Sequence, residues 1–151
     1  MAGLRSIVDA HHHLWDLGAI EYPWLMARGI KRFFGDPAPI QKNYLAGDLR
    51  NDAHDFQLLG SVHVQVGTGP GAEVEETRWL QASGDETGLP SAIVAYCELE
   101  RDDLEQQLDA HESAGRFRGV RQIVGRSAEE DATTGSGGLP NNRRWVAGLS
   151  R

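Results

Sequence analysis

Strand-like and helix-like segments alternate along this chain at a spacing that few architectures accept. Residues 61–66 read Ser61-Val62-His63-Val64-Gln65-Val66, an apolar/polar alternation of period two that predicts a strand over residues 58–66. Residues 72–84 read as a helix. It is acidic early (Glu73, Glu75, Glu76), which suits the helix dipole, and carries Val74, Thr77, Trp79 and Leu80 toward the core. A strand over 92–99 follows, then a helix over 102–114 with Leu104 and Leu108 at i, i+4 and Gly115 as its stop, then a strand over 118–124. Residues 6–10 supply an earlier strand. Residues 128–139 are a Gly- and Ser-rich loop, and residues 141–149 open a helix with Trp145, Val146 and Leu149 on its apolar side. The βαβαβ order at this spacing predicts an α/β protein with a parallel sheet and crossover helices.

Between the first two strands lies a long connection. Residues 15–43 hold Gly18, Pro23, Gly29, Gly35, Pro37 and Pro39 among Trp15, Tyr22, Trp24, Phe33 and Phe34. Connections of this length are either functional or disordered, and the aromatics need something to pack on, which argues for order. The reading is an ordered excursion over the mouth of a site, with a helical turn near residues 24–28 and a short helix over 43–56 capped by Asn43. In residues 58–66 the valines face an apolar layer while His63 and Gln65 face the other side, either lining a site or meeting solvent. Residues 67–71, Gly-Thr-Gly-Pro-Gly, lack both the phosphate-loop and the dinucleotide-binding spacing and read as a turn.

The chemistry-bearing stretch is Ile7-Val8-Asp9-Ala10-His11-His12-His13-Leu14-Trp15-Asp16. On a strand, Asp9, His11 and His13 point one way and Val8, Ala10, His12 and Leu14 the other. Side-chain bases two residues apart lie ~6–7 Å from each other, near enough for two imidazoles to meet one metal ion. His11 and His13 are therefore a candidate ligand pair and His12 faces the other layer. On spacing alone, ordinary structural histidines fit equally well, and a purification-tag remnant is the weaker alternative.

Composition removes other classes. The 151 residues are 40% hydrophobic and 25% charged, as in a soluble globular domain. A formal net charge of −7 argues against nucleic acid or an anionic membrane as partner. No apolar run approaches the ~20 residues of a membrane span, and the N-terminus lacks a signal-peptide pattern. The single Cys97 excludes an internal disulfide, fits a reducing cytoplasm and reads as a small buried hydrophobe.

The stretch from Ile7 to Asp16, with Tyr22-Pro23-Trp24-Leu25 after it, resembles the amidohydrolase-related family of metal-dependent hydrolases. That family includes fuconolactonase-type and pyrone-dicarboxylate lactonase-type enzymes. Ser61-Val62-His63-Val64-Gln65 resembles its second strand, Glu76-Thr77-Arg78-Trp79-Leu80 its next helix, and Gly119-Val120-Arg121-Gln122 its fourth strand. The resemblance covers nearly the whole chain. It implies a (β/α)8 TIM-type barrel with the site at the C-terminal strand ends.

By the same resemblance, His11 and His13 are metal ligands for a divalent ion, zinc or manganese, although some members need none. Gln65 and Arg121 are the implied contacts to a small-molecule substrate, a lactone or related cyclic ester. The implied reaction is hydrolysis by activated water. A decarboxylase of the same superfamily, a non-catalytic module and a metal- or ligand-binding module are the alternatives. A full barrel needs ~250 residues. Residues 1–151 therefore read as a partial domain, the N-terminal half of such a barrel. The general base and the remaining ligands are expected beyond residue 151, since His54 and His111 read as surface residues. Open strand edges of a half barrel make a homo-oligomer one expected outcome.

Overall fold

In the computed structural model, which describes residues 5–32, 34–123 and 142–151, four parallel strands hydrogen-bond in the order in which they occur along the chain. They are β1 (Arg5–His12), β2 (Phe56–Val64), β3 (Ala92–Ala95) and β4 (Phe117–Val120). A doubly wound sheet reverses its strand order at a switch point. This one does not, and sequential order throughout is how a barrel wall is built.

The helices are α1 (Pro23–Met26), α2 (Ala46–Asp52), α3 (Glu73–Thr87), α4 (Leu104–Glu112) and α5 (Arg143–Gly148). A short 3-10 turn spans Ala38–Ile40. Helix α3 ends at Gly88, whose φ of 81° is the left-handed cap conformation that glycine adopts without strain. Among the described residues, no helix is long and apolar enough to cross a membrane.

Apolar burial explains the layering. Leu80 of α3 and Leu49 of α2 meet Leu14, Ile93 and Ala95 on one face of the sheet. Cys97, Leu99 and Leu104 form a second cluster, against which Trp145 of α5 packs. This accounts for the early end of β3. Beyond Ala95 the chain leaves the ladder to bury Cys97 and Leu99 against α4, so the strand does not run on to residue 99. β4 likewise stops at Val120, short of residue 124. The Gly- and Ser-rich residues 128–139 lie outside the described residues.

The excursion of residues 15–43 is pinned by its aromatics. Trp15 and Tyr44 exchange main-chain hydrogen bonds of 3.0 Å each way, closing its base. Ile20, Tyr22 and Leu25 are buried with Val66, Ala72 and Trp79 packed on them, and the Trp24 indole donates to the Val66 carbonyl at 2.8 Å. Asn43 does not cap α2, contrary to the sequence reading. The cap position is Leu45, whose amide is met by the Asp48 carboxylate at 2.8 Å. Asn43 instead accepts from the Leu17 amide at 2.9 Å and donates to Asp16 at 2.9 Å, stitching the excursion to itself.

Candidate functional site

Three of the residues singled out from the sequence stand one position past a strand end, on the same rim of the sheet. His13 follows β1, Gln65 follows β2 and Arg121 follows β4. Neighbouring strands set their height: the Gln65 amide donates to the Val94 carbonyl and the Arg121 amide to the Ala95 carbonyl, each at 2.8 Å. This is the end of a parallel sheet at which barrels place their sites.

His11 and His13 converge. Two imidazoles bound to one tetrahedral ion through nitrogens at ~2.0–2.1 Å have ring centres about 5 Å apart. The observed ring centres are 5.1 Å apart with an interplanar angle of 84°. His13 donates from Nδ1 to the Val64 carbonyl at 2.6 Å. That bond fixes the ring and leaves Nε2 as the free, lone-pair nitrogen, the usual support for a metal-binding histidine. Burial also holds the His13 pKa down, opposed by the Val64 carbonyl, so the ring is neutral as a ligand must be. The His11 amide donates to Asp9 Oδ1 at 3.0 Å. The pair thus fits two positions of a divalent-ion site. Among the described residues, no group of three or more His, Cys, Asp or Glu side chains gathers to hold a metal.

His12 faces the other layer. It is buried, and burial lowers its pKa to about 4, so it is uncharged at neutral pH. Gln65 and Arg121 are brought together: Arg121 Nη2 donates to the Gln65 carbonyl at 2.8 Å. Arg121 lies close enough to His13 and His63 to disfavour their protonation. Its Nε and the Gln65 side-chain carbonyl oxygen are both buried, without a hydrogen-bond partner among the described residues.

His54 is exposed, as its sequence context implies. His111 is not a surface residue. It is fully buried, shares a 2.8 Å hydrogen bond with Thr77 and stacks on Phe117, tying α4 to α3. His63 also departs from the strand-phase reading. It points toward α3, with Nε2 4.0 Å from Glu76 Oε1, on the helix-covered side of the sheet.

Glu76 is the residue that sequence reasoning passed over. Its side chain is 1% exposed. Burial raises its pKa to about 7, with the Tyr22 hydroxyl and the Val66 main chain near enough to pull it partly back. The signal was present: Glu73, Glu76, Thr77, Leu80 and Gly84 share the buried stripe of α3 at helical spacing. The dipole reading of an acidic first turn accounts for Glu75, which is exposed, but not for a carboxylate on the core face.

No family model matches the chain. Uncharacterized protein y4mH of Sinorhizobium fredii is 42% identical over 120 residues, which are 79% of this chain and 40% of that protein. A crystal structure of an amidohydrolase from Burkholderia multivorans with bound zinc superposes with a TM-score of 0.65 at 22% identity, covering 97% of this chain and 44% of that one. A second crystal form, with bound HEPES, superposes equally well. Amidohydrolase 2 from Bifidobacterium longum subsp. infantis gives a TM-score of 0.61 at 19% identity, covering 97% of this chain and 47% of that one. The chain spans less than half the length of these proteins. Its fold is that of the N-terminal part of an amidohydrolase barrel.

Proposed function

We propose that this chain carries part of the active site of a hydrolase of the amidohydrolase superfamily, acting on a lactone or related cyclic ester with the help of a divalent metal, zinc or manganese. The observation that carries this reading is the His11/His13 pair at the strand-end rim, set at metal-binding separation with the His13 Nε2 free. The zinc in the Burkholderia multivorans amidohydrolase supports the choice of ion.

In this reading His11 and His13 hold the ion, which when bound supplies an acidified water and a polarised carbonyl. Arg121 offers its guanidinium to a carboxylate or ester oxygen of the substrate, a task that suits the planar fork. Gln65 stands beside it with a buried acceptor oxygen that has no partner among the described residues. The excursion is tied beside the rim by the Trp24 indole, which donates to the Val66 carbonyl. The reading assigns to none of these rim residues the role of the carboxylate that takes the proton from water.

A panel of sugar lactones and aromatic lactones, assayed by acid release with and without added zinc or manganese, tests the proposal. Turnover that disappears in Arg121→Ala supports it. Metal-independent turnover unaffected by the loss of His11, His13 and Arg121 would refute it. The absence of a third ligand among the described residues favours one second reading, a module that binds metal without turnover. Zinc binding with no hydrolysis of any member of the panel selects that reading.

A further inference from the structure

Two consecutive residues at the end of β1 are clasped by two consecutive residues of β2. His13 donates to the Val64 carbonyl at 2.6 Å, and the next amide, Leu14 N–H, donates to the His63 side chain at Nδ1, 3.0 Å away. In the second contact a ring nitrogen takes the place of a main-chain acceptor. A ring nitrogen that accepts carries no proton, so the His63 proton resides on Nε2. That Nε2 is 4.0 Å from Glu76 Oε1, and the two side chains are 0% and 1% exposed.

The surroundings are buried and polar. His63 Nε2, both Glu76 carboxylate oxygens and the Tyr22 hydroxyl are all buried without a hydrogen bond of standard geometry among the described residues. They come from three segments, the consecutive β2 and α3 and the earlier excursion. Polar groups gathered out of water are costly unless they serve one another.

We propose that Glu76 is a positioning residue: its carboxyl group selects the His63 tautomer that accepts from Leu14, and so holds the strand end that carries His11 and His13. The consequence for metal binding rests on the function proposed above. The tautomer and the Leu14 contact do not.

Long-range 1H–15N spectra of the 15N-labelled protein read the His63 tautomer, and hydrogen exchange reads the Leu14 amide. Glu76→Gln keeps an acceptor oxygen in place, whereas Glu76→Leu removes it. The parent and Glu76→Gln are expected to show His63 protonated on Nε2. Glu76→Leu is expected to show a mixture, with Leu14 exchange at least tenfold faster and α4 amides unchanged. Zinc affinity should fall about 10–100-fold in Glu76→Leu and be largely kept in Glu76→Gln.

An unchanged tautomer and unchanged Leu14 protection in Glu76→Leu would overturn the proposal. Should that variant not fold, a parent His63 found protonated on Nδ1 overturns it equally. A parent that binds no zinc defeats the metal reading alone, because the tautomer and exchange readouts still decide the role of Glu76.

Discussion

The buried carboxyl of Glu76 makes stability depend on pH in a direction opposite to ordinary carboxylates. Its folded pKa is raised by burial from 4.5 to about 7. Between those values the folded chain keeps a proton that the unfolded chain has released. Stability therefore falls as pH rises from about 4.5 to about 7 and levels off above. The difference in pKa corresponds to about 3 kcal/mol, and at 1% exposure solvent screening does not reduce it.

Glutamine is the isostere of the protonated form, so Glu76→Gln should match the parent near pH 4.5 and exceed it by about 3 kcal/mol at pH 8. His12, His13 and His63, whose pKa values are lowered by desolvation, contribute a slope of the other sign below pH 6.5. The His12 and His13 parts are common to both proteins and drop out of the difference, and the His63 part is confined to pH below 6.5, away from the comparison at pH 8. Urea unfolding followed by circular dichroism at half-unit steps from pH 4.5 to 8 measures that difference. A constant difference across the range would refute the reasoning. It would mean that the carboxylate is charged throughout, with Arg121, which favours the charged form, as its counter-ion.

Further outcomes follow from burial. Leu80→Ala, at a fully buried position between α3 and the sheet, should cost about 2–5 kcal/mol in urea unfolding, whereas Leu59→Ala at 63% exposure should stay within about 0.5 kcal/mol. Equal costs would contradict the assigned layering. Cys97 is 2% exposed and its thiol is pushed up to about 11 by burial. A thiol reagent at pH 8 should label it slowly in the folded protein and rapidly in urea, and fast labelling without denaturant would contradict its place in the cluster with Leu99 and Leu104.

Much of the fold is legible because period-two and helical patterns report burial directly. The valines of β2 and the Leu104/Leu108 pair of α4 locate their elements within a few residues. The strand phase also isolates His11 and His13 from His12, and the three side chains are disposed as that phase requires. What the sequence conceals is set by tertiary contact. His63 reads as lining a site or meeting solvent because it lies opposite the valines, but it shares a sheet face with its β3 partner Ile93, which packs with Leu80 of α3. His111 looks exposed on a helix rich in charge, and only its Thr77 partner on α3 shows why a histidine is tolerated there. Glu76 looks like a dipole-complementing acid until the excursion brings Tyr22 onto it. Each of these depends on a partner far away in the chain.

The central claim is that His11 and His13 form one half of a metal site, and zinc titration by calorimetry tests it most directly. The parent chain should bind zinc at one site per chain, and His11→Ala/His13→Ala should weaken that binding at least tenfold at pH 7.5. If the double variant binds zinc as tightly as the parent, the pair at 5.1 Å is not a ligand pair and the proposed function loses its support.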